Sequence, residues 1–524
     1  MKVGKACVQC REGKRKCDRK GTGAPCAQCL RRHLQCSGAV HHTSGSSHSS
    51  NPVFILPSTD NVDEVMPDSA ALKELIDLYI WYIHDKPHSL FHEPTLRYAI
   101  SNGTVSKAVL YGILGLSARF SQYEAARSQG PKYAMEAKRL VKADMENICL
   151  ENIQACVLCG NICFADCNSD AESIYFAIAN RMAQLFHLEA EVSSDDAITR
   201  ETKRRVWWSL YLQECWASAG TGLLRQFHHG GATPAVPMSE PMFLQLHGDA
   251  DPRPREPGIW AHMITLVRIF ADIQDLNYHL VEEESWSGEY VEAPVRNLSS
   301  QLEAFKNSLP DTLQNTPENF TYNIQQRLGR TFVALHLSYH HFATLLFFQF
   351  LDQERPSTPG VAACAERCKF HAGAFSDLLW ASNEHPHAQA VYNIVGHMTV
   401  VSSSVLLHTL LFGNEDELPV AKKRLESNFR VLMRLKSYWP SVELMLSRLL
   451  NFQSACLQST SPHTHKIDKW MIRFLLQHVL TLDERLRADS SLAIQTPDSE
   501  EPSVEAQRLS HRGRELDKLV RKFY

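Results

Sequence analysis

The sequence predicts a small metal-stabilised module at the N-terminus, followed by a large all-α domain. Three observations support this fold class. Six cysteines within residues 1–36 repeat one spacing, Cys-x2-Cys-x6-Cys. From about Ala70 to Arg487, apolar residues recur at every third or fourth position, which is the period of an amphipathic helix. Strand-like alternation is scarce in that stretch, so we do not expect a sheet-based architecture.

The cysteine run favours zinc as the metal. The six positions are Cys7, Cys10, Cys17, Cys26, Cys29 and Cys36. Zinc prefers four tetrahedral ligands and binds thiolates well, so six cysteines complete two such sites only if two of them bridge. A segment of this length cannot bury a core large enough to fold alone. We therefore expect two zinc ions to supply the folding free energy.

A disulfide framework is the competing interpretation, because it is typical of small secreted modules. The first residues, MKVGKACVQC, lack the apolar stretch of a secretory signal. We therefore favour reduced thiolates that bind zinc over oxidised pairs.

The charge of this segment differs from that of the rest of the chain. Residues 1–36 hold ten Lys or Arg and two acidic residues, a formal charge of +8. The whole chain carries −4, so the other 488 residues carry −12. This asymmetry predicts a head that binds nucleic acid on an acidic body.

The basic residues are concentrated in the first half of the cysteine run. If residues 11–16 form a short helix, positions 11, 14 and 15 share one face, and that face can enter the major groove, where Lys and Arg read guanine. Contacts to phosphate would position the module without reading sequence. The predicted DNA-binding residues are Arg11, Lys14, Arg15, Lys16, Arg19 and Lys20.

The run resembles the DNA-binding module of the fungal binuclear zinc-cluster, or Zn(2)-C6, transcription factors. The resemblance implies that Cys7 and Cys26 bridge the two zinc ions, and that Lys14 reads a CGG triplet. Asp18 and Pro25 also fit the family pattern. Gly13 departs from it, because the family usually has Arg or Lys there. The departure removes one candidate contact and costs a helix about 1 kcal/mol.

We expect the binuclear zinc-cluster module to span residues 1–38 and a disordered linker to span 39–69. The polar, low-complexity run HHTSGSSHSS at 41–50 cannot bury enough apolar surface to fold. No heptads of apolar residues occur between Ser37 and Ser69, which argues against a coiled-coil dimer. Pairing through the larger domain is left open.

Residues 70–487 are predicted to be helical throughout. The first clear pattern comprises Leu72, Leu75, Ile76, Tyr79, Ile80 and Ile83. No apolar run appears long enough to span a membrane, and we expect no membrane partner. The remaining residues, 488–524, are expected to be a mostly disordered tail, with a short amphipathic helix at RELDKLVRKFY.

Several helical segments resemble the fungal transcription factor regulatory domain, also called the middle homology region. The matching segments are Leu75–Arg97, Ile174–Leu188, Arg200–Leu212, Pro234–Pro237, Leu302–Leu313 and His336–Leu346. The same residues also have a simpler structural interpretation. Trp207 and Trp208 are expected in the core, and the basic residues at 200 and 203–205 on a solvated or capping face, with a second DNA patch as the alternative.

Two other clusters could be chemical sites or core residues. Cys156, Cys159, Cys163 and Cys167 follow Cys149 at helical spacing among apolar neighbours. Buried cysteine behaves as a small hydrophobe, so we favour a core stripe over a redox or metal site. His336 and His340 lie one helical turn apart, but without the Glu of an H-E-x-x-H motif. We expect a structural pair there, as for His228 and His229.

The sequence lacks the motifs of common enzymes. It contains no G-x-S-x-G elbow, no phosphate-binding G-x4-G-K-[ST] and no strand-linked G-x-G-x-x-G. We therefore expect no catalytic activity.

The sequence thus predicts a sequence-specific, DNA-binding regulator of RNA polymerase II transcription in a fungal nucleus. Its expected partners are double-stranded DNA and, through the helical domain, a homodimer or heterodimer partner or a small-molecule effector. The alternative is a ligand- or redox-responsive interaction protein whose head binds DNA nonspecifically.

Overall fold

A computed structural model describes Cys17 and residues 66–86, 88–226, 233–248, 256–282, 288–352, 358–458, 460–461, 464–465, 469–477 and 504–523. The chain divides after Glu64 into two units. The second unit, Val65–Tyr524, contains every element below.

The described part of the second unit is almost entirely helical. Its first half contains α1 Ser69–Tyr82, α2 Glu93–Ser101, α3 Lys107–Ser117, α4 Glu124–Ala143, α5 Leu150–Ala165, α6 Ser169–Leu185, α7 Ala197–Thr221, α8 Glu240–Leu244 and α9 Ile259–Glu282. Its second half contains α10 Gly288–Ser308, α11 Pro317–Gln325, α12 Gly329–Phe347, α13 Pro359–Asn383, α14 Val395–Phe412, α15 Leu418–Lys436, α16 Ser441–Gln458, α17 Lys469–Leu476 and α18 Val504–Arg521. Short 3-10 turns occupy Ala118–Phe120, Asp311–Leu313 and Phe348–Leu351, and two antiparallel two-residue strands are β1 Thr460–Ser461 and β2 Thr464–His465. The predicted large all-α domain is confirmed.

Local signals in the sequence set several helix ends. Asp68 caps α1, because its side chain accepts hydrogen bonds from the backbone N–H groups of Ala70 and Ala71. Asp196 caps α7 in the same way, through Thr199. Helix α7 ends at Gly222, whose φ of +71° is the left-handed conformation that glycine adopts at low cost. The helical periodicity of residues 72–83 is also confirmed, since α1 buries Leu75 and Tyr79.

Neighbouring helices bury their apolar faces in one continuous core. Trp208 on α7 and Trp260 on α9 are each 1% exposed. Phe270 on α9 stacks on Phe342 of α12, with ring centroids 4.0 Å apart. The core assignment of Trp207 and Trp208 is therefore confirmed.

Helix α14 corrects one expectation. Among the described residues, it is the helix that has both the length and the hydropathy of a membrane span, and 89% of it is buried within the protein. Its apolar composition follows from this central position, since a helix that contacts neighbours on all sides has no polar face. The prediction that no segment reaches the length of a membrane span is therefore wrong.

The C-terminal residues also differ from expectation. The sequence predicted a mostly disordered tail at 488–524 with a short amphipathic helix at 514–524; α18 confirms a helix there, but it begins ten residues earlier, at Val504. The helix packs on α14 and buries Leu516, Leu519 and Val520. The earlier start was not predicted because the buried face there includes Arg512, which is 9% exposed and donates to the backbone oxygens of Leu411 and Gly413.

Candidate functional site

The predicted zinc and DNA residues lie outside the described part of the structure, except for Cys17. Cys17 is partly buried. The other five cysteines and the residues Arg11, Lys14, Arg15, Lys16, Arg19 and Lys20 belong to the range that is not described, so their roles stay predictions. His228 and His229 also lie outside the described ranges.

The basic run of α7 is not a solvated face. Arg204 and Arg205 are 2% and 0% exposed, although the sequence predicted a solvated or capping position. Glu201, one turn earlier, is 1% exposed and forms an ion pair with each of them. Lys203 forms a 2.7 Å ion pair with Asp195 and is also largely covered. The expectation is wrong for Arg204 and Arg205 because Glu201 on the same helix pairs with both, and because remote segments at Ser89 and Met238 cover Arg205.

Arg205 joins three segments of the chain. Its Nη1 donates to Ser89 Oγ at 3.0 Å, and its Nη2 donates to the Met238 carbonyl at 2.6 Å. Its Nε donates to Glu201 Oε1 at 3.2 Å, and the same oxygen accepts the Met238 N–H at 2.9 Å. In addition, Ser209 Oγ donates to the Ser89 carbonyl at 3.1 Å.

These contacts bring together the segments that resemble the family. The segments at 75–97, 200–212 and 234–237 are far apart in sequence, yet the first two meet directly at Arg205 and Ser209. Trp208 Nε1 donates to the Ala235 carbonyl at 3.0 Å, which ties the third segment to α7. The motif residues therefore build a buried polar junction and not a surface.

The segment directly after α1 contributes titratable side chains to the same junction. Burial lowers the pKa of His88 to about 3, and its Nε2 lies 2.8 Å from the hydroxyl of Tyr79. Burial alone would raise the pKa of Asp85, but the charges of His84, Arg205 and Lys86 hold it well below its usual value. The junction thus keeps His88 neutral and Asp85 ionised near pH 7.

The cysteines of α5 are mainly core residues. Cys156, Cys159 and Cys163 are each 0% exposed, and burial raises the pKa of Cys156 to about 12. Cys149 lies at the N-cap of α5, while Cys167 follows the helix and is exposed. The core prediction is confirmed for the three central cysteines. Within the described ranges, no group of three His, Cys, Asp or Glu residues could hold a metal ion.

The histidines of α12 have structural partners. His336 Nε2 lies 3.0 Å from the Leu313 carbonyl, and His340 Nδ1 lies 3.0 Å from His371 Nδ1 on α13. Burial lowers the pKa of His336 to about 4, so the ring is neutral near pH 7. The prediction of a structural pair is confirmed, and His371 is a partner that sequence spacing did not reveal.

A cavity, called the central cavity below, lies among the helices of the second unit. Its volume is about 70 Å³, and it is lined by side chains of α3, α5, α6, α7, α9 and α12 and of the segments after α1 and before α14 and α16. Two of its buried polar residues, Glu172 and Asn393, carry atoms without a hydrogen-bond partner. No sequence pattern predicts this cavity, because its lining residues are scattered from Ile83 to Trp439.

Two family models match the chain. The fungal Zn(2)-Cys(6) binuclear cluster domain matches residues 5–43, which contain all six cysteines. The fungal specific transcription factor domain matches residues 76–307. The resemblance to the fungal zinc-cluster transcription factors that the sequence predicted is therefore confirmed over these two ranges.

Curated relatives are similar over most of this chain. An uncharacterized transcriptional regulatory protein of Schizosaccharomyces pombe is 21% identical, over 81% of this chain and 53% of its own. The Zn(2)-C6 fungal-type transcription factor FTF2 of Fusarium oxysporum f. sp. lycopersici is 21% identical, over 74% of this chain and 40% of its own. The chain thus spans about half the length of these relatives. No solved structure matches it.

Proposed function

We propose that this protein is a sequence-specific transcription factor that regulates RNA polymerase II transcription in the nucleus of a fungus. The observation that carries the proposal is the match of residues 5–43 to the binuclear cluster domain. That range holds six cysteines at a repeated spacing together with the densest basic run of the chain.

Two zinc ions would be bound by Cys7, Cys10, Cys17, Cys26, Cys29 and Cys36. The donor set fits, because thiolates are preferred zinc ligands and six of them serve two tetrahedral ions when two bridge. By family resemblance, Cys7 and Cys26 are the bridges. Zinc would supply the folding free energy of the module, since residues 1–38 are too few to bury a sufficient core.

The proposed DNA contacts are of two kinds: contacts to bases, which read the sequence, and contacts to phosphates, which position the module. Lys14 would read guanine in a CGG-like triplet through the major groove. Arg11, Arg15, Lys16, Arg19 and Lys20 would contact phosphates and fix the orientation of the module. One module contacts few base pairs, so strong specificity would require a second copy or a partner.

The helical unit would regulate the DNA-binding module and would not catalyse a reaction. A homodimer or heterodimer through this unit would supply a second DNA-binding module, because the sequence of residues 39–69 contains no apolar heptads. The domain boundaries that we propose are 1–38, 39–69 and 70–487, with a C-terminal segment of 488–524 that includes α18.

The test is an in vitro selection of binding sites with the zinc-loaded full-length protein. Enrichment of one CGG-like triplet would indicate a monomeric reader, and two triplets at a fixed spacing would indicate a dimer. The control is Lys14→Ala, which removes the reading side chain but keeps all six cysteines. Loss of triplet enrichment in this variant is expected. If the zinc-loaded wild-type protein enriches no sequence, the protein is a nonspecific binder and the proposal is wrong.

A further inference from the structure

The central cavity contains a carboxyl group without a partner. Glu172 lies in the first turn of α6 and is 4% exposed. Its Oε2 accepts no hydrogen bond, and no ion pair to Glu172 occurs within the described residues. A buried polar group without a partner costs about 1–3 kcal/mol. Such a group in a cavity wall indicates that something not supplied by these helices satisfies it.

Asn393 provides a second unsatisfied group in the same cavity. Its Oδ1 accepts a 2.8 Å hydrogen bond from Ser441 Oγ, which fixes the side chain, while its Nδ2 has no acceptor. Asn393 is 8% exposed. The same Ser441 lines a smaller pocket together with Glu172, so the residue that fixes Asn393 also neighbours the space beside Glu172.

The rest of the wall is largely apolar and aromatic. Trp216, Trp439 and Met263 contribute much of it. The indole N–H of Trp439 already donates to the Val391 carbonyl at 2.6 Å, so this ring offers the cavity its apolar surface. This combination of apolar walls and a few converging polar groups is typical of sites for small organic molecules.

The cavity disfavours charge. Burial raises the pKa of Glu172 to about 8, so the carboxyl is protonated at neutral pH. Lys86 also lines the cavity, but its ammonium group donates to the backbone oxygens of Ile80 and His84. A ligand charge placed here would lose its hydration, and the Lys86 ammonium, already bonded to two backbone oxygens, would compensate an anion only in part.

We propose that this cavity binds a small, mainly apolar, uncharged molecule whose single hydroxyl or amide group bonds Glu172 and Asn393. Such a head group both donates and accepts hydrogen bonds, so it can satisfy both residues. A volume of about 70 Å³ holds about five atoms the size of a water oxygen, at roughly 10–15 Å³ each. The ligand therefore has about five or six non-hydrogen atoms.

The biological meaning of the site rests on the proposed function, since it would be the effector site of a transcription factor. The cavity touches α7 and the loop after α1, which also form the junction around Arg205. A bound molecule would therefore stabilise the packing of the segments that the family model covers. The binding itself is independent of DNA and can be tested without it.

The experiment measures binding of four molecules of similar size to the zinc-loaded full-length protein by saturation-transfer NMR. Isobutanol and isobutyramide carry neutral head groups, whereas isobutylammonium and isobutyrate carry opposite charges. We expect the neutral pair to bind at least about tenfold more tightly than either ion, which corresponds to about 1.4 kcal/mol.

Variants locate the site. Ala334→Leu fills the cavity from α12 and is expected to abolish binding, whereas Ala125→Leu, at an exposed position on α4, leaves it unchanged. Glu172→Met keeps the side-chain volume but removes the hydrogen bond to the ligand. It should therefore lower the affinity for the two neutral probes by about tenfold. This second variant decides the question if Ala334→Leu does not fold.

Three results would overturn the inference: no binding of either neutral probe, tighter binding of an ion, or unchanged binding in both cavity variants. Binding-site selection on the same preparation keeps the two proposals separate. A protein that selects a DNA site but binds no probe refutes the cavity ligand alone.

Discussion

Glu201 lies between two buried arginines on α7. Arg204 also contacts Glu191, which is 62% exposed at its side chain, whereas Glu201 is 1% exposed. Removing one partner of a buried charge network leaves the other charges without compensation in a medium of low polarity. The two carboxylates therefore differ sharply in importance, although both contact the same guanidinium group.

We predict that Glu201→Gln lowers the free energy of unfolding by about 3 kcal/mol. The matched control, Glu191→Gln, should lower it by less than about 1 kcal/mol, because an exposed ion pair contributes little. Urea unfolding followed by circular dichroism measures both variants. Equal effects would show that the buried network does not stabilise the junction.

Glu172 predicts a pH dependence of stability. Its pKa rises on folding from an ordinary value of 4.5 to about 8, so the folded state holds the proton more tightly. The stabilising effect is complete below pH 4.5 and is lost as pH rises through about 8, at about 1.4 kcal/mol for each pH unit between these values.

Glu172→Gln should remove this dependence, because the amide resembles the protonated carboxyl and does not ionise. The variant and the wild type should have similar urea midpoints near pH 4.5, and the variant should be the more stable near pH 8. A constant difference between the two proteins across this range would contradict the assignment.

Helix α5 packs closely against α6 at Gly160. A Cβ built on Gly160 would lie 2.5 Å from Cε1 of Phe176, which is 2% exposed. We predict that Gly160→Ala destabilises the protein by about 1–3 kcal/mol through overpacking. Gly360→Ala is the control, since a Cβ on this exposed residue of α13 meets nothing closer than 3.9 Å. It should be neutral or stabilising by up to about 1 kcal/mol.

Helix α18 gives a second prediction at this scale. Leu516 is 3% exposed, and Phe523 beyond the helix stacks on Phe429 of α15 at 5.4 Å. Leu516→Asp should undock α18 and expose its amides to hydrogen exchange, because a charge would enter an apolar contact. Lys518→Asp, at an exposed site, should leave exchange unchanged. Protected amides in the Leu516 variant would show that α18 docks by other contacts.

The elements that sequence predicted well are those whose own residues carry the signal. The apolar period of α1 and the amphipathic pattern at 514–524 are local features, and the structure has a helix at both. Arg205 was misjudged because a sequence cannot show that the backbone carbonyl of Met238, from a remote segment, accepts its hydrogen bond. The cavity at Glu172 was missed for the same reason, since its polar groups meet only in the folded chain.

At the scale of the whole molecule, two domain models match separate parts of the chain. The cysteine run could be recognised from the sequence, because zinc prefers thiolate ligands at short, regular spacings, and its match to the binuclear cluster domain agrees with that interpretation; the individual zinc ligands stay a prediction. The position of its residues on DNA is a proposal that the described residues do not test. The helical unit supplies a buried junction and a cavity, both far from the cysteines in sequence.

The central claim is that a zinc cluster gives the protein sequence-specific DNA binding. The measurement that tests it most directly is the ratio of specific to nonspecific DNA affinity, with zinc content, for Cys17→Ala and Cys167→Ala. Cys17 is a predicted ligand, whereas Cys167 is an exposed cysteine after α5. We expect the wild type to show a ratio of specific to nonspecific affinity of about 10³ or more. Cys17→Ala should lose both bound zinc and this specificity, while Cys167→Ala should keep both. Full zinc content and an unchanged ratio in Cys17→Ala would contradict the account.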